Sequence, residues 1–249
     1  GTGAHEALAA AADAGLDVIV VDHHVAEAKL PPAVAIINPN RLDESGMHGE
    51  LAAVGVALLL LIGLNRALRG AGWFDRVDEP DLLGWLDLVA LGTICDVAPL
   101  TGINRALVTQ GLKVMSRRGN PGLKALADIA GISEVPGAYH AGFVLGPRVN
   151  AGGRVGQSDL GARLLSTGDA VEAADLAGRL DEFNRERQTI EAAVLDDALE
   201  RLGSAPEGIG PLVFAAGDGW HPGVIGIVAS RLKERFNRPA CVVALDGDT

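Results

Sequence analysis

The sequence predicts an α/β fold, in which a parallel-sheet domain is joined by a long helix to the start of a second α/β domain. Three observations carry this prediction. The β-branched run Val18–Val21 ends in three polar residues, as a buried parallel strand does. Residues 169–202 repeat apolar side chains at helical spacing. From Leu212 onward the pattern is strand, glycine-rich turn, helix and strand, which is typical of an α/β unit.

Composition places the chain among globular proteins. Its 249 residues suffice for one large or two modest domains, and a hydrophobic content of 48% excludes a disordered chain. Cys95 and Cys241 are isolated and form neither a disulfide framework nor a CxxC metal site, so a cytoplasmic location is expected. The most apolar segment, residues 54–64, is too short to cross a bilayer, and no membrane association is expected.

The first candidate site is the end of the predicted strand Val18–Val21. Asp22, His23 and His24 follow it directly, and open α/β sheets bind ligands beyond the carboxyl ends of their strands. Imidazole and carboxylate groups together suit Mn²⁺, Mg²⁺ or Zn²⁺. The alternative is that Asp22 caps the next segment and that both histidines are ordinary surface residues.

A second candidate follows the apolar run Leu86–Leu91, where residues 81–91 are predicted to pass from helix into strand. Asp96 stands after this run, at a turn punctuated by Gly92 and Pro99. Two metal ions held by such residues make a clamp for phosphoryl transfer. An aspartate that bonds only to nearby turn backbone is the alternative, and the sequence leaves open whether His23 and Asp96 meet.

The remaining elements follow from apolar periodicity and from glycine and proline breakers. Helices are predicted over 4–12, 50–69, 104–116, 123–129, 158–165 and 225–236, strands over 34–37, 212–216 and 239–245, and a linker over 206–210. Because the helix over 50–69 is apolar at nearly every position from Leu51 to Leu64, it is expected to be buried against the sheet. Ser158 is the expected N-cap of the helix over 158–165.

Two glycine-rich stretches are candidate anion sites. The stretch GPRVNAGGR at 146–154 predicts a loop with free backbone amides, where Arg148 and Arg154 can fork onto phosphate oxygens. A plain glycine-rich connector with solvated arginines is the alternative. His221 lies in the turn before the helix over 225–236, whose N-terminal amides favour an anion. Arg231 is a weaker candidate, since it could be an ordinary solvated helix arginine.

The net charge of −11 argues against a nucleic-acid partner, because phosphate binding requires lysine and arginine. The acidity is unevenly spread, however. Much of it lies within residues 169–200, whereas Arg148–Arg163 is locally basic. A local basic groove on an acidic protein therefore remains compatible with DNA binding.

Several motifs resemble the DHH phosphoesterase superfamily. They are VDHH at 21–24, LPPAVAIINPN at 30–40, and LGTICDVAPL at 91–100 with NRALV after it. Within that superfamily, GPRVNAGGR and the stretch GWHPGVIGIVASRL at 219–232 are similar to the RecJ-type single-stranded-DNA exonucleases. The resemblance covers nearly the whole chain, and the motifs occur in the family's order.

This resemblance implies a domain organisation. Residues 1–165 would be a DHH domain, 166–205 connecting helices, and 206–249 the start of a DHH-associated substrate-binding domain. The family has further metal-binding aspartates upstream and another glycine- and arginine-containing motif downstream. The chain is therefore expected to begin inside its catalytic domain and to end inside its second domain.

The resemblance also implies a metal-dependent 5′–3′ exonuclease of single-stranded DNA, acting in repair and recombination with two Mn²⁺ or Mg²⁺ ions. His23 and Asp96 are the expected metal ligands. Asp22 would orient His23 or enter the metal site, and His24 would contact the phosphate or the leaving group. The side chains expected to hold the DNA are Arg148, Asn150, Arg154, His221 and Arg231. A monomer is expected, with a repair helicase or a single-strand-binding protein as candidate partners.

Two alternatives remain open for the function. Other DHH proteins cleave pyrophosphate, short oligonucleotides or cyclic dinucleotides with the same metal motif. A non-catalytic nucleic-acid-binding subunit would share the fold but should lose the DHH residues. The chain alone is expected to have little or no nuclease activity, because it holds too few carboxylates for a two-metal site.

Overall fold

The computed structural model describes residues 1–203, 210–245 and 247, which form two compact units. Unit 1 comprises Gly1–Asn120 and Ile132–Gly146, and unit 2 comprises Pro121–Gly131 and the described residues from Pro147 onward. These units divide the chain at other points than the predicted domains, whose boundaries stay a prediction. Of the predicted linker over 206–210, residues 206–209 lie outside the described residues.

Unit 1 combines helices with a pair of short parallel strands. Its elements are α1 (His5–Asp13), β1 (Ile19–Val21), β2 (Ala35–Ile37), α2 (Ala53–Gly70), α3 (Leu86–Cys95), α4 (Gly102–Met115) and a π-helical segment (His140–Leu145). Val20 of β1 lies opposite Ile36 of β2. The predicted parallel α/β architecture is confirmed in this unit.

Burial in unit 1 is less complete than the sequence predicts. Within β1 only Val20 is buried, and Ile19 is 57% exposed. Helix α2 buries Val56 and Leu58 but leaves Ile62 and Leu64 nearly half exposed, so the prediction of a buried helix is wrong for its second half. Apolar composition predicts burial only where another element covers the face, and α2 packs on α3 along part of its surface. By length and composition alone α2 could cross a membrane, a property that core helices of soluble proteins share.

The predicted strand at Leu86–Leu91 is wrong, because these residues form the first part of helix α3. A short apolar run fits a buried strand and a buried helix equally well, and α3 has apolar residues on every side. Helix α3 packs against α4, where Gly111 permits close approach. A Cβ atom at Gly111 would lie 2.1 Å from the carbonyl oxygen of Leu86 and 2.6 Å from the Cβ of Ala90.

We expect Gly111→Ala to destabilise the chain by about 1–3 kcal/mol, because a backbone carbonyl cannot rotate out of the way. Gly63→Ala is the matched control, since an added Cβ at Gly63, inside α2, would meet no atom within 4 Å apart from its chain neighbours and the backbone of its own helix. That change should stabilise the chain by about 0.5–1 kcal/mol through helix propensity. Urea unfolding followed by circular dichroism measures both, and equal stability of the two variants would contradict the α3–α4 packing.

Unit 2 is built around one long helix. Its elements are α5 (Pro121–Ile129), α6 (Gly146–Val155), α7 (Leu160–Ser166), α8 (Ala170–Leu202), β3 (Val213–Asp218), α9 (Pro222–Phe236) and β4 (Ala240–Leu245). The Asp169 carboxylate caps α8 by accepting the N–H of Val171 at 2.7 Å. Strands β3 and β4 pair in parallel, and with α9 they confirm the predicted strand–helix–strand unit. Val194, Val213, Val228 and Leu232 lie in the apolar core of this unit.

The predicted loop over 146–154 is wrong, because these residues belong to helix α6. The backbone amides therefore belong to a continuous helix and form no anion cradle. Two glycines here instead allow neighbouring groups to approach closely. A Cβ at Gly152 would lie 2.5 Å from the Gln157 carbonyl oxygen, and a Cβ at Gly156 would lie 2.6 Å from the Phe183 ring. The predicted cap Ser158 is also wrong, since Asp159 is the N-cap of α7.

Candidate metal centre

The carboxyl end of β1 is organised by one buried carboxylate. Asp22 is 6% exposed, and its Oδ2 accepts the N–H of Thr2 at 2.6 Å and the Thr2 hydroxyl at 2.8 Å. Its Oδ1 accepts the backbone N–H of His23 at 2.7 Å and of His24 at 3.2 Å. The Nδ1 of His24 lies 2.7 Å from the same Oδ1. Asp22 therefore orients the ring of His24, whereas it reaches only the backbone of His23.

The tautomer of His24 follows from this contact. An ionised carboxylate only accepts hydrogen bonds, so Nδ1 of His24 carries a proton and donates it to Asp22. In the neutral ring, Nε2 is then the unprotonated nitrogen. The His24 side chain is 78% exposed, which leaves it accessible to a ligand. His24 thus has the geometry of a base or hydrogen-bond acceptor held in place by Asp22.

The ionisation of Asp22 is strongly favoured in the folded chain. Burial alone would raise the pKa of this carboxyl, but hydrogen bonds from Thr2 and His24 outweigh burial and hold the pKa far below its ordinary range. A depressed carboxyl pKa stabilises the fold at any pH above the ordinary value, and this contribution is lost as the pH falls.

We therefore expect acid to weaken the fold through Asp22. Between about pH 5 and pH 2, the unfolding free energy of the wild type should fall more steeply than that of Asp22→Asn, which cannot ionise. Urea unfolding at a series of pH values measures the two slopes. Parallel slopes for the two proteins would show that Asp22 ionises alike in the folded and unfolded chain.

Two metal-capable side chains meet beside this network. The Nε2 of His23 lies 3.5 Å from Oδ2 of Asp96, and the His23 side chain is 17% exposed. Asp96 is the C-cap of α3, and Val97 leaves the helix in the left-handed conformation with a φ of 57°. A helix C-terminus carries partial negative charge and so favours a cation nearby. The structure thus brings together His23 and Asp96, which come from two separate elements of unit 1.

Two asparagines that the sequence analysis did not assign to the site shape the centre. Asn38 donates from Nδ2 to the His24 carbonyl at 2.8 Å and to the Thr2 hydroxyl at 3.0 Å. Asn40 donates from Nδ2 to the His23 carbonyl at 2.6 Å. The signal available in the sequence is the NPN tripeptide directly after β2, which by itself predicts only the end of a strand.

The donor set fits a divalent ion in part. His23 and Asp96 are close enough to bind one ion together, and imidazole with carboxylate suits Mn²⁺ or Mg²⁺. Among residues 1–203, 210–245 and 247, no group of three or more His, Cys, Asp or Glu side chains could hold a metal. The adjacent Cys95 does not supply a thiolate, because burial and the neighbouring Asp96 raise its pKa to about 11. Further ligands must be water, substrate or other protein groups.

Unit 2 carries the residues expected to hold DNA, and only some of them lie together. Arg154 donates from Nη1 to the Gly223 carbonyl at 3.1 Å, and His221 caps α9 by accepting the Gly223 N–H at 3.0 Å. This bond assigns the proton of the neutral His221 ring to Nε2, which can donate to an anion. Asn150 is exposed on α6.

The two remaining arginines pair with acidic residues of α8. Arg148 donates from Nε to the buried Asp181 at 2.9 Å, and Nε of Arg231 lies 3.4 Å from Glu191. Asp181 and Glu191 are ten residues apart on one helix, about 15 Å. The structure therefore does not bring Arg148 and Arg231 to one point, and their role toward DNA stays a prediction.

Comparison with known proteins places this geometry in context. Residues 1–93 match the model of the DHH family, N-terminal domain. The chain is 42% identical to the single-stranded-DNA-specific exonuclease RecJ of Salmonella typhimurium, over 100% of this chain and 44% of that protein. The chain thus spans less than half the length of this curated relative.

Solved structures agree with the sequence comparison. A structure of RecJ from Thermus thermophilus in complex with Mn²⁺ matches with a TM-score of 0.81 and 37% identity, covering 98% of this chain and 35% of that one. The structure of RecJ from the same organism in complex with Mg²⁺ matches with a TM-score of 0.71 and 38% identity, covering 92% and 33%.

Proposed function

We propose that the chain is part of a metal-dependent exonuclease of single-stranded DNA, because residues 1–93 match the DHH family model and the chain is 42% identical to RecJ of Salmonella typhimurium. The proposed reaction is hydrolysis of phosphodiester bonds from the 5′ end, in DNA repair and recombination. The observation that carries the proposal is the 3.5 Å approach of His23 and Asp96 beside the Asp22 network.

His23 and Asp96 are the proposed ligands of an Mn²⁺ or Mg²⁺ ion, which relatives of this chain bind in their solved structures. A bound ion of this kind polarises a phosphoryl oxygen and lowers the pKa of a bound water. Asp22 holds the His24 ring with Nε2 accessible, so His24 can accept a proton from water or hydrogen-bond the leaving group. Asn40 fixes the His23 carbonyl and thereby the backbone that carries the ligand.

Residues of unit 2 are proposed to hold the strand. Arg154 and His221 share contacts with Gly223, and both can donate to phosphate oxygens. Asn150, Arg148 and Arg231 are proposed as further contacts to the strand. We also propose that the protein acts as a monomer in the cytoplasm, together with a repair helicase or a single-strand-binding protein. Reduced Cys95 and Cys241 are compatible with that compartment.

We expect the 249-residue chain alone to show no nuclease turnover, because its described residues supply two ligands where a two-metal site needs more. The reading frame extended at both ends should degrade long single strands in Mn²⁺ or Mg²⁺. Dinucleotides, cyclic dinucleotides and pyrophosphate, supplied in parallel, should turn over far more slowly. Preference for these small substrates would instead assign the protein to a sister family. Metal-dependent turnover by the chain alone, lost in His23→Ala, would show that the two ligands suffice.

A further inference from the structure

Two aromatic side chains of unit 1 are exposed to solvent: one is the N-cap of the π-helical segment and the other lies within the segment. Tyr139 is 67% exposed and Phe143 is 74% exposed, although aromatic residues make up only 4% of the chain. Aromatic rings stabilise a fold chiefly when they are buried, so this aromatic pair contributes little to the packing of the described residues. Clustered apolar groups on a surface are typical of binding sites, and π-helical turns are frequent at functional sites.

The aromatic pair is ordered before any ligand arrives. The two ring centroids are 5.4 Å apart with planes 25° from parallel, a stacked arrangement. The ring of His140 meets Tyr139 edge-on at 5.9 Å. His140 is itself fixed, because Nδ1 accepts the Gly137 N–H at 3.1 Å and Nε2 donates to Glu134 at 2.9 Å. A preorganised surface binds with a smaller loss of side-chain entropy.

The π-helical segment is packed against the helix that ends at the candidate metal centre. The Cys95 thiol lies 3.6 Å from the Ala141 carbonyl oxygen, with donor geometry. A Cβ at Gly142 would lie only 3.1 Å from the side chain of Ile94. Cys95 directly precedes Asp96, so the aromatic pair is carried on the element that contacts the end of α3. All of these residues belong to unit 1.

The chemistry of this surface favours unstacked nucleobases. Aromatic side chains bind the π-faces of bases, and single-stranded nucleic acid exposes those faces whereas a duplex hides them. The net charge of −11 weakens the attraction of the chain for phosphates. Stacking supplies affinity that does not depend on cations, and it does so for every base.

We infer that Tyr139 and Phe143 form a stacking platform that binds a nucleobase of single-stranded DNA on the segment that packs against α3. The inference rests on the proposed function and adds a contact to the base, whereas the residues named above contact metal and phosphate. The platform holds the strand without reading its sequence, as a nuclease acting on any sequence requires.

A spectroscopic test uses the fact that Tyr139 is the only tyrosine. Chain labelled with ε-¹³C tyrosine gives one ε-position ring signal in an NMR spectrum, because it comes from Tyr139 alone. Oligothymidylate should move this signal upfield, because a stacked base places its ring current over Tyr139. An oligonucleotide of equal length made entirely of abasic sites should leave the signal in place. The same shift with both oligonucleotides, or no shift with either, would overturn the platform.

A binding test uses variants and the same two oligonucleotides, followed by fluorescence anisotropy. Tyr139→Ala and Phe143→Ala should each weaken binding of oligothymidylate about tenfold or more, the usual loss for one stacked base. Tyr139→Phe should bind like the wild type, since it keeps the ring. Trp73→Ala is the control, because Trp73 is 59% exposed elsewhere in unit 1. The abasic oligonucleotide should bind all of these proteins alike.

The outcomes separate the platform from the proposed function. Wild-type chain that binds oligothymidylate while both alanine variants bind it equally well overturns the platform and leaves the proposed function standing. Equal weakening for intact and abasic oligonucleotides also overturns the platform, because it reports a structural role or a protein-docking role. Wild-type chain that binds no single-stranded DNA overturns the platform, whereas the proposed function is tested separately by turnover of the extended reading frame.

Discussion

His23→Ala and Asp96→Ala are each expected to lower metal-dependent nuclease turnover of the extended reading frame by about a thousandfold or more. Their side-chain atoms approach to 3.5 Å, and the described residues hold no group of three or more His, Cys, Asp or Glu side chains that could bind a metal in their place. Loss of a catalytic ion removes several kcal/mol of transition-state stabilisation, and about 4 kcal/mol corresponds to a thousandfold. Turnover of purified variants on labelled single-stranded DNA in Mn²⁺ measures the loss.

Asp78→Ala is the matched control, because Asp78 is an exposed carboxylate in a loop of unit 1. It should retain wild-type turnover and the wild-type dependence on metal concentration. Raising the Mn²⁺ concentration should recover part of the activity of His23→Ala if the loss is one of metal affinity. Full activity of either ligand variant at limiting Mn²⁺ would contradict the assignment.

Asp22→Ala is expected to have the largest effect on stability, about 3 kcal/mol or more. It removes both acceptor oxygens from a buried network and leaves the Thr2 N–H and hydroxyl without their acceptor. A buried donor that loses its partner costs about 1–3 kcal/mol, and several donors lose theirs here. The His24 ring also loses its orienting contact. Urea unfolding at neutral pH measures the loss.

Asp17→Ala tests whether this loss is specific to Asp22. Asp17 is an exposed carboxylate just before β1, and its removal should change the unfolding free energy by less than about 0.5 kcal/mol. If both variants lost the same stability, the Asp22 network would contribute nothing beyond surface charge. A stable Asp22→Ala with intact activity would further show that His24 needs no orientation by that carboxylate.

The parts of the fold that depend on local patterns were predictable. The strand before Asp22, the 33-residue helix α8 and the unit of β3, α9 and β4 each carry their own periodicity and breakers. The parts that depend on distant neighbours were not. Leu86–Leu91 lie in a helix that packs against α4, and Gly152, in the stretch predicted as a loop, lies in α6 beside the Gln157 carbonyl.

The candidate site was predictable in its residue types more than in its geometry. His23 and Asp96 follow two apolar runs that are far apart in sequence, and only the fold determines that they meet. The contacts of Asn38 and Asn40 could not be inferred, because asparagine after a strand usually serves a turn. Arg148 was expected to contact phosphate, but it donates to Asp181, and this bond depends on where α8 runs in the fold.

One measurement tests the account most directly: the extended reading frame is incubated with 5′-labelled single-stranded DNA and either Mn²⁺ or Mg²⁺, and the first labelled product is identified. We expect labelled 5′ mononucleotide from the earliest time points, none after chelation of the metal, and none from the His23→Ala or Asp96→Ala proteins. Labelled products of many lengths, or mononucleotide release that persists without metal or without His23, would contradict a metal-dependent 5′ exonuclease centred on these residues.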